Sequence, residues 1–304
     1  MALLDRALVR VLPAVPRPVV KKLSQRYIAG PDLADACRVV AELNRDAKRA
    51  TIDVLGEEIT SRDEASALLA EYEDVFEKIE REGLDSNVSV KLTGLGLKLD
   101  RDFCLENVAT LVRDAAKRGN FVRIDMEDSS TTTDTLEIYR RLRSQGLDNV
   151  GVVLQAYMKR TLGDIASLAP LRPNVRVCKG IYVEPSDVAY QEFETVQLNF
   201  VEAVQALLDA GGYVAVATHD DWVIAEVLTL LEERGLAPEK YEFQMLLGVR
   251  PDLGDELVRE GHRLRIYVPF GRQWYEYSLR RLQENPAMAG TVAKATVGRV
   301  LGRT

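Results

Sequence analysis

Residues 50–92, ATIDVLGEEITSRDEASALLAEYEDVFEKIEREGLDSNVSVKL, decide the fold. Two short β-branched runs, ATIDVL (50–55) and NVSVKL (87–92), enclose a segment in which Ser61 and Glu64 form a capping box ahead of Leu68, Leu69, Tyr72, Phe76 and Ile79. The spacing predicts strand, helix, strand. Working outward, the same alternation recurs with FVRIDM (121–126), VGVVLQAY (150–157), VRVCK (175–179), YVAVAT (213–218), YEFQML (241–246) and RLRIYVP (263–269). Helix-period segments separate these runs: one from Phe103 ends at Gly119, and another from Val188 to Leu208 precedes Gly211 and Gly212. Eight such units predict an α/β fold with a parallel sheet closed on itself, a (β/α)8 barrel. The rival is a doubly wound open sheet, which commonly carries G-x-G-x-x-G after a strand. Here the nearest approach, Gly94-Leu95-Gly96, lacks the third glycine and the helix start. The expected organisation is an N-terminal helical extension over 1–49 and a catalytic barrel over 50–304, with a final helix contributing to the active site.

Composition narrows the class. With 304 residues, 46% of them hydrophobic and 29% charged, the chain can bury a large core. A net charge of −7 argues against binding a nucleic-acid backbone. Cys37, Cys104 and Cys178 share no close spacing, so no disulfide framework or zinc knuckle is expected, and a reducing, cytoplasmic compartment fits best. No apolar run is long enough to span a bilayer. The first 26 residues nevertheless carry Arg6, Arg10, Arg17, Lys21, Lys22 and Arg26 against Asp5 alone, and Leu4, Leu8, Val11 and Leu12 share a helical face before Pro13. This basic amphipathic segment packs its stripe on the body of the protein, or else rests peripherally on the anionic inner face of a membrane.

In a barrel, chemistry gathers at the C-terminal ends of the strands. The polar groups there are Asp53, Glu57, Lys91, Asp125, Glu127, Gln155, Arg176, Lys179, Thr218, His219, Gln244 and Tyr267. One functional group per strand end exceeds what packing demands. The two histidines, His219 and His262, do not make a metal cage, and H-E-x-x-H, G-x-S-x-G and G-x-x-x-x-G-K are all missing from the sequence. Cys178 is expected to pack in the barrel layers. Beyond the last strand, YEYSLRRLQEN (275–285) places Tyr277, Arg280, Arg281 and Glu284 on one helical face. Two guanidiniums beside a tyrosine match a substrate carboxylate; the competing reading pairs them with Glu276 and Glu284 on an exposed helix.

YSLRRLQEN (277–285) resembles the Y-x-x-R-R-x-x-E-N signature of the flavin-dependent proline dehydrogenase family. The resemblance continues in order through DVLGE (53–57), VKL (90–92), RIDME (123–127), LQAY (154–157), RVCKGIY (176–182), ATHD (217–220), EFQMLLG (242–248) and RIYVPFG (265–271). It implies FAD as cofactor, L-proline as substrate, 1-pyrroline-5-carboxylate as product and a membrane quinone as electron acceptor. By position it implies Asp125 and Arg176 at the reactive centre. Met126, Gln155, Arg176, Lys179, Gly180, Ile181, Tyr182, Thr218, His219 and Glu284 are implied to contact FAD. Lys91, Arg280 and Arg281 would hold the proline carboxylate, Leu246, Tyr267 and Tyr277 would wall the ring, and Glu57 would pair with Arg280 as a gate. Cys178 and Ile181 depart from the commoner R-L-V-K-G-A-Y form of their block.

Two alternatives belong to other classes. One is a Schiff-base aldolase using Lys91 or Lys179 on a carboxylated substrate. The other is a metabolite-binding or membrane-surface scaffold without turnover.

Overall fold

The strand–helix alternation closes into a barrel. The computed structural model describes residues 26–56, 59–271 and 273–275; the expected basic helix over the first residues lies outside them. Strands β1 (Arg49–Val54), β2 (Ser86–Val90), β3 (Val122–Ile124), β4 (Val150–Gln155), β5 (Asn174–Cys178), β6 (Tyr213–Ala217), β7 (Tyr241–Leu246) and β8 (Leu264–Phe270) pair in chain order. The closing seam between β8 and β1 is parallel and runs from Arg49 opposite Arg265 to Val54 opposite Phe270. A closed sheet has no edge, and the open-sheet alternative is excluded.

Around the barrel lie α1 (Leu33–Arg45), α2 (Arg62–Glu82), α3 (Arg101–Lys117), α4 (Ser129–Ser144), α5 (Thr161–Leu168), α6 (Phe193–Asp209), α7 (Asp221–Glu233) and α8 (Pro251–Arg259). The capping box of α2 forms as its sequence requires, with Ser61 accepting from the Glu64 amide and Glu64 reaching back. Its stripe of Leu68, Tyr72, Phe76 and Ile79 is buried, and Gly83 ends it in the left-handed region. Before the barrel, α1 buries Ala36, Cys37 and Val40 and packs against β8 and β1 across the closing seam. α6 starts at Phe193 rather than near Val188. The Val188 and Ala189 amides bond to the Pro185 carbonyl, and the Tyr190 amide to the Tyr157 carbonyl, so this stretch turns against the end of β4 before helix can begin. No described helix is long and apolar enough to cross a membrane.

Each strand sorts its residues by alternation. One set, including Ile52, Val88, Ile124, Val152, Val177, Val216, Phe243 and Val268, joins the helix stripes in a single apolar core. The other set holds buried polar groups: Asp53, Ser89, Arg123, Asp125, Arg176, Glu242, Gln244 and Arg265. These meet inside the barrel, because Arg176 on β5 bonds to groups from β2 and β7 as well as to Asp125 just past β3. Low in the barrel, the Arg123 guanidinium donates to the carbonyls of Val152 (3.0 Å) and Asn174 (2.8 Å), bridging three neighbouring strands. Space for it exists because residue 151 is glycine. A Cβ there would lie 2.4 Å from Arg123 Nη1 and 2.6 Å from the Asn174 carbonyl oxygen. Gly151→Ala is therefore expected to destabilise the barrel by about 1–3 kcal/mol through overpacking. Thermal unfolding checks this, and an unchanged Tm would contradict the bridging role of Arg123.

Candidate active site

The site begins with a carboxylate that two cations share. Asp125 follows β3 directly, and its amide bonds to the Val90 carbonyl, which carries its side chain over the end of the sheet. Oδ1 accepts from Arg176 Nη1 at 2.6 Å and from Ser89 Oγ at 3.0 Å. Oδ2 accepts from the Tyr267 hydroxyl at 2.8 Å and lies 3.7 Å from Lys91 Nζ. Lys91 donates at 3.1 Å to both oxygens of Asp53, a fully buried residue, and sits 3.3 Å from the Tyr267 oxygen. Arg176 completes its set with Gln244 Oε1 at 2.5 Å and Ser89 Oγ at 3.1 Å, and lies over the Tyr267 ring at 5.3 Å. Burial alone would raise the Asp125 carboxyl. Arg176 and Lys91, with hydrogen bonds from Tyr267 and Ser89, outweigh it and hold the group below the ordinary carboxylate range. Asp125 is thus an ionised anchor that orients its cations.

Above this floor opens a cavity of about 520 Å³, a volume suited to a bound small molecule. Of the site residues expected from the sequence, Lys91, Asp125, Met126, Gln155, Arg176, Lys179, Gly180, Ile181, Tyr182, Thr218, His219, Gln244, Leu246 and Tyr267 line it, whereas Asp53 does not. The local chain explains the placement. Lys179 pairs with Asp220, which caps α7 by accepting from the Trp222 and Val223 amides at 3.0 and 3.2 Å. His219 Nε2 accepts from the Leu246 amide at 3.0 Å, fixing its tautomer with the proton on Nδ1. Gln155 donates to the Glu127 carbonyl at 2.9 Å. At Gly180, φ is +109° and a Cβ would meet the Tyr157 ring at 2.2 Å, so the backbone itself forms the wall there.

Glu57, Tyr277, Arg280, Arg281 and Glu284 lie outside the described residues. Glu127 is not brought to the cavity: its carboxylate accepts from the amide and hydroxyl of Thr93 and braces the loop after β2. Cys178 packs partly against the core, as expected, and as the last residue of β5, on the same inward face as Arg176, it also lines the cavity. Ser89 escaped sequence reading altogether, because a serine within a β-run carries no signal until strands converge. Asp220, which is in the cavity wall, had the signal of a carboxylate just before a helix. Among the described residues, no group of His, Cys, Asp and Glu is placed to hold a metal ion.

A (β/α)8 barrel with converging charged groups at its C-terminal mouth has the form of an enzyme. A family model described as "Proline dehydrogenase" matches residues 36–294. Proline dehydrogenase 1 of Bacillus subtilis (strain 168) is 39% identical over 271 residues, 89% of each chain. The proline dehydrogenase of Deinococcus radiodurans is 38% identical over 296 residues, 93% of this chain and 96% of that one. Proline utilization A from Bdellovibrio bacteriovorus, inactivated by N-propargylglycine, shares the fold with a TM-score of 0.83 at 24% identity, over 91% of this chain and 36% of that longer one. The chain belongs to the proline dehydrogenase family, and is accordingly an oxidoreductase whose general reaction is the oxidation of proline.

The depressed Asp125 group has a signed consequence. Its stabilisation is fully present above the unfolded carboxyl value of about 3.9 and is lost as pH falls through the lower folded value. The stability difference between wild type and Asp125→Asn is expected to be constant from about pH 5 to 8 and to shrink below about pH 4. Urea unfolding across that range measures it; a difference that grew on acidification would contradict the ion pairing.

Proposed function

We propose that this cavity carries the FAD-dependent oxidation of L-proline to 1-pyrroline-5-carboxylate, with electrons passed on to a membrane quinone by a cytoplasmic or peripherally bound protein. The observation that carries the reading is the Asp125 carboxylate holding the Arg176 guanidinium, with the Lys91 ammonium close by, at the floor of one cavity.

The lining fits a flavin by its chemistry. Val153 and Met126 supply apolar lining that a planar ring system needs, and Arg176, Lys179, Gln155 and Thr218 supply the polar groups that a charged cofactor would need. When bound, FAD supplies a two-electron acceptor for the hydride that leaves C5 of proline. Arg176, Gln155, Lys179, Gly180, Ile181, Tyr182, Thr218, His219 and Met126 would hold it, with Glu284.

The protein's own part is orientation and charge. Lys91, gripped by both oxygens of Asp53, would present its ammonium to the substrate carboxylate, a role that the sequence resemblance extends to Arg280 and Arg281. Cations around that carboxylate also disfavour a charged amine on the same ring, so proline reacts in its neutral-amine form. Loss of the nitrogen proton after hydride departure completes the cyclic imine. Arg176 would stabilise negative charge gained by a bound cofactor without reorganising, because Asp125, Ser89 and Gln244 already fix its three nitrogens. Tyr267, tied to Asp125 by its hydroxyl, is left with its ring as a wall for the substrate. The aldolase alternative needs an amine with a free lone pair, whereas Lys91 and Lys179 both donate to aspartates.

The experiment is proline-dependent reduction of an artificial electron acceptor by FAD-loaded protein, run with proline and 4-hydroxyproline on wild type and Tyr267→Ser. Wild type is expected to reduce the dye with proline and to form the imine. Tyr267→Ser is expected to lower kcat/KM for proline and narrow its advantage over hydroxyproline, because removing the ring opens space for the hydroxyl. Absence of dye reduction would overturn the function, and an unchanged substrate ratio would overturn the role of Tyr267.

A further inference from the structure

We propose that Glu242, which does not line the substrate cavity, is a positioning residue for Arg176 and acts through the side-chain amide of Gln244. The inference rests on the reading of that cavity as the site of proline oxidation.

The argument is one of donors and acceptors. Arg176 can only donate, and its Nε meets Gln244 Oε1 at 2.5 Å. An ionised carboxylate can only accept, and Glu242 Oε1 meets Gln244 Nε2 at 2.5 Å. The amide between them therefore has one satisfying orientation. Flipping it would set its NH2 against the guanidinium and its carbonyl against the carboxylate. Glu242 imposes this orientation only if it is itself ionised and immobile. Arg265 Nε donates to both its oxygens, at 2.9 and 3.1 Å, and Arg265 Nη1 is tied to the Ala50 carbonyl at 2.6 Å. Burial would raise the Glu242 carboxyl, yet Arg265, with the hydrogen bonds from Arg265 and Gln244, holds it below the ordinary range. Both residues border a second cavity, of about 480 Å³, on the opposite side of the barrel interior from the reactive groups. Arg265, Glu242, Gln244, Arg176 and Asp125 thus form one chain of charge-assisted bonds from that cavity to the floor of the substrate cavity.

If Glu242 acts in this way, removing its charge frees the Gln244 amide and releases the Arg176 Nε–H. Two variants test this. Glu242→Gln removes the charge and turns one of the two acceptor oxygens into an NH2 donor. Glu242→Leu with Arg265→Met replaces the pair by apolar groups of similar size and removes both charges together, which preserves the fold where one substitution alone endangers it. The first readout is hydrogen exchange of the Arg176 Nε–H by NMR, in the purified chain without proline. The second is the split between kcat and KM for proline in the FAD-loaded protein. Both folded variants are expected to exchange that proton at least about tenfold faster and to lose about tenfold in kcat. KM is expected to change little, because the grip of Asp53 on Lys91 is untouched. Wild-type exchange and kcat in the folded double variant would overturn the proposal and leave Glu242 a structural partner of Arg265. Accelerated exchange in a protein that does not oxidise proline would support the positioning chain and contradict the substrate reading, so the two failures are distinct.

Discussion

The structure depends on how charge is held inside a closed sheet. Asp125 accepts from Arg176, Ser89 and Tyr267 and lies beside Lys91, so one carboxylate gathers side chains from the ends of β2, β3, β5 and β8. Removing a single partner from such a set leaves an uncompensated buried charge, which costs far more than the intact set contributes. That asymmetry gives the interior its order: each group has its place because every alternative arrangement strands another. Among the described residues the network balances the Lys91, Arg176 and Arg265 cations against the Asp53, Asp125 and Glu242 carboxylates.

The barrel's shape follows from the same division. Apolar side chains on one strand face pack against the helices, so the polar set is confined to the interior, where it must be satisfied side chain to side chain. Filling a barrel with ion pairs rather than branched aliphatic side chains makes little sense for stability alone. It makes sense where two cations have to be presented rigidly to a ligand.

Much of this was legible in the sequence, for identifiable reasons. Alternation in NVSVKL and FVRIDM separates outward Val88, Val90, Val122 and Ile124 from inward Lys91, Arg123 and Asp125, and the capping box at Ser61 marks the helix between β1 and β2. Less legible were features set by neighbours. The late start of α6 depends on bonds to Pro185 and Tyr157, and the exposure of Cys178 depends on where β5 stops. Polar side chains at strand ends announced themselves, whereas Ser89 and Glu242 lie within strands. For Glu242 a signal was present, since a carboxylate amid the apolar residues of YEFQML must have a buried partner. That partner, Arg265, could be named only once β7 and β8 were paired.

On the proposed function, the Asp125 carboxylate sets the cations for removal of hydride from proline. Anaerobic rapid mixing of L-proline with FAD-loaded wild type and Asp125→Asn tests it most directly, with oxidised-flavin absorbance followed over time. Loss of that absorbance in wild type, and at least about tenfold slower loss in an Asp125→Asn protein that still holds FAD, is the predicted result. Equal rates in the two proteins, or no reduction by proline in wild type, would contradict it.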